Sequence, residues 1–422
     1  MTEAGDAEGQ TKVGEIRMLK HITIKNFRSC RETSIDFNKG ISALSGRNGA
    51  GKSNILKAIE WLSSSVLATE SIKTAPAGNH GENIDEIRIH ATLELGETEY
   101  WYKISIPAPN RRLDLLSTSD FDIQETLVIR SSDQTETTLL SRRGDSIQVW
   151  KRAEPIRIPR RTPSLAALLA LLTDDDPLSP HLRSIASFFS DVQYYSLDDR
   201  PDASDYVPEQ RYNEWKFRYQ NEGFLTDSVA LRLIYMSQED TATLEEFLSI
   251  AGRDGLGLIE NFDIVLLETP HSVGAPKEGM ADPTIVYLPM FVPSEQMGGA
   301  GKAYRFSDLS VGTRRVLRVL TSMLFDKRSL MLLEHPEDSV HAGLLRKLID
   351  QLRTYSHRTQ VVFTTHSSDI LDILKPEEVL MVTASGGSTK ARKLSPDEMA
   401  RAKKFLKNEG SLSDFLEPLS EP

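Results

Sequence analysis

The chain has 422 residues, 39% of them hydrophobic and 26% charged, the proportions of an ordinary globular protein long enough for two or three lobes. Its formal net charge of −11 excludes a surface that attracts nucleic acid everywhere, so any DNA contact has to be a local patch. A single cysteine, Cys30, excludes an internal disulfide and a thiolate zinc cluster, and the longest apolar run, Leu165 to Leu172, is far short of the roughly 20 residues a membrane span needs.

In chain order, residues 1–17 are polar and acidic, the opposite of a signal peptide, and are expected to be the disordered tail of a cytoplasmic protein. Residues 18–150 form the first predicted lobe. Leu19, Ile22 and Ile24, then Ile35 and Phe37, alternate with polar residues as paired half-buried strands do. "GISALSG" gives a short apolar strand, and the next segment sets Ile55, Leu56, Ile59 and Leu62 on one helical face. From 86 to 150, "IRIHATLEL", "EYWYKISIP" and "TLVIRS" have the period of antiparallel strands.

Residues 151–305 are mixed and rich in proline, with helices predicted at 164–172, 181–189 and 242–251, and read as a mainly helical insertion. "TPHSVGAPKEGMADPT" and the cluster Gly298, Gly299 and Gly301 read as mobile loops. Regular order returns over 306–386 as helix, buried strand "SLMLLEH", helix and buried strand "TQVVFTTHS". Residues 387–422 read as a polar tail with one helix, "SPDEMARAKKFLK". Alternating helices and near-continuous apolar strands indicate an α/β fold. Its mainly parallel sheet core would carry an antiparallel β lobe and an inserted helical lobe.

Gly46 to Ser53 spells GRNGAGKS, a phosphate-loop pattern between a predicted strand and a predicted helix. Gly46, Gly49 and Gly51 let the backbone curl so that its N–H groups face a β-phosphate at a helix N-terminus. Lys52 is placed to neutralise the β- and γ-phosphates and the Ser53 hydroxyl to ligate Mg²⁺. Arg47, Asn48, Ala50 and Asn54 complete the candidate nucleotide-binding segment, for which ATP and Mg²⁺ are the expected cofactors. The bland alternative is a helix start after a turn.

Glu334 closes "SLMLLE", the C-terminal end of a buried strand, where open α/β sheets put their ligands, and is the candidate magnesium carboxylate. His366 ends the next predicted strand, within reach of a γ-phosphate. "LSVG" at 309–312 precedes this region; Ser310 by itself reads equally well as a helix N-cap.

Together, "NFRS" at 26–29, GRNGAGKSN at 46–54, "LSVG" at 309–312, "LEHPEDSVH" at 333–341 and "TTHS" at 364–367 resemble the ABC-type P-loop ATPase head. Proteins with such heads include RecF, the structural maintenance of chromosomes proteins and the overcoming-lysogenization-defect (OLD) family. The resemblance covers about residues 18–70 and 305–385. It implies a homodimer, or higher homo-oligomer, with ATP between two heads, the loop of one facing Ser310 and Gly312 of the other. It also makes Arg28 a candidate nucleotide contact, against the simpler reading of a surface arginine.

Aligned on Pro336 and Glu337, the family's pair of strand-end acids becomes Glu334 and His335. His335 thus stands where relatives carry the glutamate that positions and deprotonates water. A neutral imidazole can accept that proton, so slow hydrolysis is expected, with Glu337 as a helper. The competing reading is a strand-end histidine that caps a loop in a module that holds ATP without cleaving it.

Weaker signals remain. "RRGDSIQVWKRAEPIRIPRR" at 142–161 carries seven Arg and Lys against two acids and is a candidate DNA patch, although a charge-protected edge strand is the commoner meaning. The acids at 173–176 and 197–202 read as solvated loops rather than metal ligands. Only a short segment follows His366, so the TOPRIM-type nuclease domain of OLD nucleases is not expected in this chain. The resemblance then implies a stand-alone head acting as a switch on DNA or on a separate effector, a nuclease or toxin, in bacterial antiphage defence or DNA processing. The ATPase subunit of a membrane transporter is the weaker alternative.

Overall fold

The alternation that begins at Arg17 folds back on itself: β1 (Arg17–Phe27) pairs antiparallel with β2 (Cys30–Asp36) through a tight turn in which Arg28 takes φ +49°. The computed structural model describes residues 17–72, 86–108, 122–131, 133–196, 205–222, 228–269, 284–293, 301–326 and 328–420. After β2, β3 (Ile41–Ser45) runs through the phosphate-loop sequence into α1 (Lys52–Val66). Six more strands follow: β4 (Glu86–Leu95), β5 (Thr98–Pro107), β6 (Gln124–Arg130), β7 (Glu136–Arg143), β8 (Ser146–Val149) and β9 (Ile156–Arg157). With β1 and β2 they make an antiparallel sheet of order β2-β1-β4-β5-β6-β7-β8-β9.

The next span contains α2 (Ser164–Leu171), α3 (Ser179–Ser190), β10 (Val192–Ser196), β11 (Val207–Pro208), α4 (Glu209–Glu222), α5 (Val229–Glu239) and α6 (Thr241–Ala251). Then come β12 (Ile259–Thr269), β13 (Thr284–Pro293) and β14 (Tyr304–Arg305). The expectation of one mainly helical insertion over 151–305 needs correction. β10 is an edge strand of the phosphate-loop sheet, and β12 and β13 form a long antiparallel ladder flanked by β11 and β14. Pro289 and Pro293 hid β13, because proline donates no ladder hydrogen bond and reads as a breaker.

α7 (Val311–Thr321) continues into a π-helical turn, Ser322–Asp326, before β15 (Leu330–Glu334). α8 (Ala342–Tyr355), β16 (Gln360–Thr365), the short α9 (Ser368–Leu371), β17 (Val379–Ser385) and β18 (Ser388–Lys393) follow. The expected one-helix tail holds β18 and two helices, α10 (Pro396–Asn408) and α11 (Leu412–Leu416), the second seated by the buried Leu412 and Leu416.

The second sheet, β10-β15-β16-β3-β17-β18, is parallel except for the closing β17–β18 hairpin. Its central strands are buried on both faces, which is why they read as continuous apolar runs. Side chains alternate between two cores. Met331, Leu333, Val361 and Phe363 face the α5–α8 side, whereas Leu330, Leu332 and Val362 join α1–α3 and the antiparallel sheet. The predicted α1 stripe of Ile55, Leu56, Ile59 and Leu62 is buried in that second core. In the parallel register Glu334 pairs with Thr364, Thr364 with Leu44, and Thr365 with Ser45, so β3, β15 and β16 end at one sheet edge. Among the described residues no helix is long and apolar enough to cross a membrane.

Residues 1–16, the acids at 197–202 and most of the two predicted loops lie outside the described residues.

Candidate nucleotide-binding site

At that sheet edge the chain leaves Ser45, crosses residues 46–51 and starts α1 at Lys52. Gly51 takes φ +98°, and a Cβ there would lie 1.9 Å from the Thr389 hydroxyl, so the last loop position before the helix admits only glycine. Thr389, on β18, donates to the Ala50 carbonyl at 2.9 Å and meets the Ser29 hydroxyl at 2.7 Å. Asn54 donates to Ser29 at 2.7 Å, and Arg28 donates to the Asn54 side-chain oxygen at 3.3 Å. The NFRS turn, the loop and β18 are therefore one bonded unit. Sequence reasoning placed Arg28 and Asn54 near the loop but gave no sign of Thr389.

Lys52 is 5% exposed. Its ammonium donates to the Gly46 carbonyl at 2.7 Å and the Arg47 carbonyl at 3.1 Å, and among the described residues it forms no ion pair. Burial lowers its pKa, with the Glu337 charge pulling the other way. Beside it opens a cavity of about 240 Å³ lined by Asn48, Gly49, Gly51 to Asn54 and His335.

Glu334 is half-buried and accepts a hydrogen bond from the hydroxyl of Tyr194, a β10 residue the sequence did not single out. Among the described residues neither Glu334 nor the Ser53 hydroxyl is tied to a cation. These are two oxygen donors of the hard kind that magnesium takes, so the residues present fit the ion. Bound with a nucleotide, it would neutralise phosphate charge.

His335 takes φ +47°, with its backbone N–H on the Thr364 hydroxyl at 3.1 Å. Its Nδ1 lies 3.3 Å from Glu337 Oε1 and 3.2 Å from His366 Nδ1. Glu337 also accepts from the Thr365 hydroxyl at 2.9 Å and the His366 backbone N–H at 3.2 Å. The hydrogen bond to Glu337 raises the His335 pKa against the opposing effect of burial. Burial pushes Glu337 upward, but its hydrogen bonds to His335, His366 and Thr365 outweigh this and hold it below the usual carboxylate value. The structure thus brings Lys52, His335, Glu337 and His366 to one place.

Ser310 and Gly312 do not line this cavity. Ser310 caps α7, its hydroxyl accepting from the Thr313 N–H at 3.1 Å. A Cβ on Gly312 would lie 2.2 Å from the Ser339 carbonyl, which gives this glycine a reason within its own chain.

The basic stretch 142–161 is largely committed to structure. Arg142 is fully buried, bonded to Glu125 at 2.9 Å and to the carbonyls of Gly144 and Arg160 at 2.7 Å each. Arg152, Arg157 and Arg160 pair with Asp176, Asp145 and Asp122, and Lys151 stacks over Trp150. Of the acids at 173–176, Asp174 pairs with Arg183 at the surface, whereas the Asp176 that holds Arg152 is only 13% exposed.

Two family models match the two halves of the head. An "AAA domain" model covers residues 21–154, and one described as "AAA domain, putative AbiEii toxin, Type IV TA system" covers residues 292–372. The chain is 57% identical over 42 residues to the DNA double-strand break repair Rad50 ATPase of Archaeoglobus fulgidus, covering 10% of this chain and 5% of that protein. It is 48% identical over 44 residues to the DNA replication and repair protein RecF of Streptococcus pneumoniae, covering 10% of this chain and 12% of that one. The chain therefore spans only a small part of the curated relatives it matches. An Smc head solved with the C-winged helix domain of ScpA overlays 91% of this chain and 99% of its own at 13% identity and a TM-score of 0.46. The fold rests on the sheet order and the phosphate loop, not on that overlay.

By fold and loop this is a P-loop nucleotide-binding domain whose two matched regions fit AAA-domain models. Over short segments it is similar to the Rad50 and RecF proteins, and the two matched regions are separated by a long intervening segment.

Proposed function

We propose that this chain is a cytoplasmic ATP-driven switch that binds Mg–ATP at Lys52 and Ser53, turns it over slowly, and pairs with a second copy across the nucleotide. The carrying observation is the buried Lys52 ammonium, held by two carbonyls and, among the described residues, by no carboxylate. A cation that deep is costly without an anion, and the start of α1 offers backbone N–H groups to a phosphate. Ser310 and Gly312 lie outside the cavity of their own chain, which supports a role for them on the nucleotide of a partner copy. His335 in place of the family's glutamate supports slow turnover, and equally a module that holds ATP and seldom cleaves it. Action on DNA, or on a separate nuclease or toxin in the manner of OLD-type antiphage systems, is supported by the DNA-repair relatives and by the toxin description of the model matching residues 292–372.

Calorimetry with Mg–ATP tests the core of this reading: the parent binds and Lys52→Ala does not. Light scattering then shows the parent's mass doubling with Mg–ATP, while Ser310→Arg still binds nucleotide and stays single. A parent that gives no binding heat, or pairs identically with and without ATP, overturns the proposal.

A further inference from the structure

We propose that His335, Glu337 and His366 form a binding site for a divalent transition-metal ion of the zinc type, distinct from the magnesium ligands Ser53 and Glu334. Three donor atoms converge: His335 Nδ1 is 3.2 Å from His366 Nδ1 and 3.3 Å from Glu337 Oε1, and His366 Nδ1 is 3.6 Å from the same oxygen. A tetrahedral zinc ion with bonds of about 2.0–2.1 Å sets its ligands about 3.3 Å apart, so the triangle has the size of one face of such a site. Two imidazoles meeting nitrogen to nitrogen need either one shared proton or a cation between them, and a carboxylate beside them favours positive charge.

The surroundings are those of a held ligand set. Glu337 has a side chain only 7% exposed; its Oε1 is fixed by the Thr365 hydroxyl and the His366 N–H, and its Oε2 is buried with no hydrogen-bond partner among the described residues. The Thr364 hydroxyl holds the His335 backbone in its left-handed conformation. Such outer bonds orient metal ligands and are part of a site's affinity. His366, with its side chain 45% exposed, leaves a route in from solvent. Two imidazoles and one carboxylate select zinc, cobalt or nickel over magnesium, and three protein ligands leave a position open for water. Because His335 also lines the nucleotide cavity, an ion here sits beside the place given above to the phosphates. The metal site rests on the geometry of the free chain, so it stands or falls without ATP.

The test uses untagged full-length protein, stripped with chelator and kept free of nucleotide. Titration with Co²⁺ alone is expected to produce visible d–d bands that saturate at one ion per chain and are displaced by Zn²⁺. Zn²⁺ calorimetry on His366→Gln and Glu337→Gln is expected to show affinity reduced by about tenfold or more. His366 is solvent-exposed, so its replacement leaves the fold intact, which circular dichroism and melting verify. Absent cobalt bands, or zinc binding by His366→Gln equal to the parent's, overturn the site. Parallel Mg–ATP calorimetry separates the two ideas: lost ATP binding with cobalt bands present removes the nucleotide reading alone, and the reverse removes the metal site alone.

Discussion

At φ +47° His335 occupies a region that a residue with a Cβ enters at a cost of about 1 kcal/mol, and the Thr364 hydroxyl holds it there. Local strain at a strand end beside a phosphate loop is the kind that functional sites store. If His335 substitutes for the water-positioning glutamate, His335→Glu restores a carboxylate and should raise kcat by about tenfold. A steady-state ATPase assay in which this variant is slower than the parent removes His335 from that role. Tyr194 acts one step further out, through its hydroxyl on Glu334. Tyr194→Phe should raise the Mg²⁺ concentration for half-maximal turnover by about tenfold while leaving kcat at saturating magnesium little changed, as expected of a group that orients a ligand. Equal magnesium dependence in the two proteins would make that hydroxyl merely structural.

At the scale of elements, the Arg142–Glu125 pair joins strands to a helix. Both side chains are fully buried, and Glu125 also accepts from the Tyr102 hydroxyl and from the Ser164 N–H that opens α2. Removing one partner strands the other charge, so Arg142→Leu is expected to cost about 3–5 kcal/mol, measured as a loss in denaturant unfolding free energy. A loss below about 1 kcal/mol would show that Glu125 finds water or a proton instead. In the sequence Arg142 was one basic residue of seven in a run that read as a DNA patch or a guarded edge. Only the fold reveals that it serves the interior, because β7 turns it toward Glu125 on the neighbouring β6. β13 was missed for a converse reason: its prolines break the local pattern, while the ladder to β12 supplies the stabilisation that propensity lacks.

At the scale of the whole molecule, the C-terminal residues are built into the head rather than appended. β18 closes the central sheet and holds the phosphate loop through Thr389, and Arg392 on β18 pairs with Glu398 in the first turn of α10. The hydrogen bond from Arg392 and the capping N–H of Ser395 bring the Glu398 pKa down from 4.5 to about 2. A carboxylate depressed on folding contributes stability that is present above its unfolded value and lost as pH falls through its folded one. The melting temperature should therefore fall between pH 4.5 and pH 2, and Glu398→Gln should flatten part of that fall. Identical pH profiles for the two proteins would show that α10 is docked by its apolar contacts alone.

By itself the sequence determined whatever depends on near neighbours along the chain. The loop GRNGAGKS, the α1 stripe, the apolar runs of β3, β15 and β16, and the strand-end position of Glu334 were all legible, because each is a short pattern with a fixed period or spacing. Tertiary structure decided what depends on sheet order. β10 lies beside β15, which brings Tyr194 to Glu334 across 140 residues; β18 reaches back to place Thr389 on Ala50 across 339. Parallel register between β15 and β16 sets His335 against His366 and draws Glu337 to both. No spacing in the chain encodes such meetings, since they arise only when separate strands are stacked and twisted into one edge.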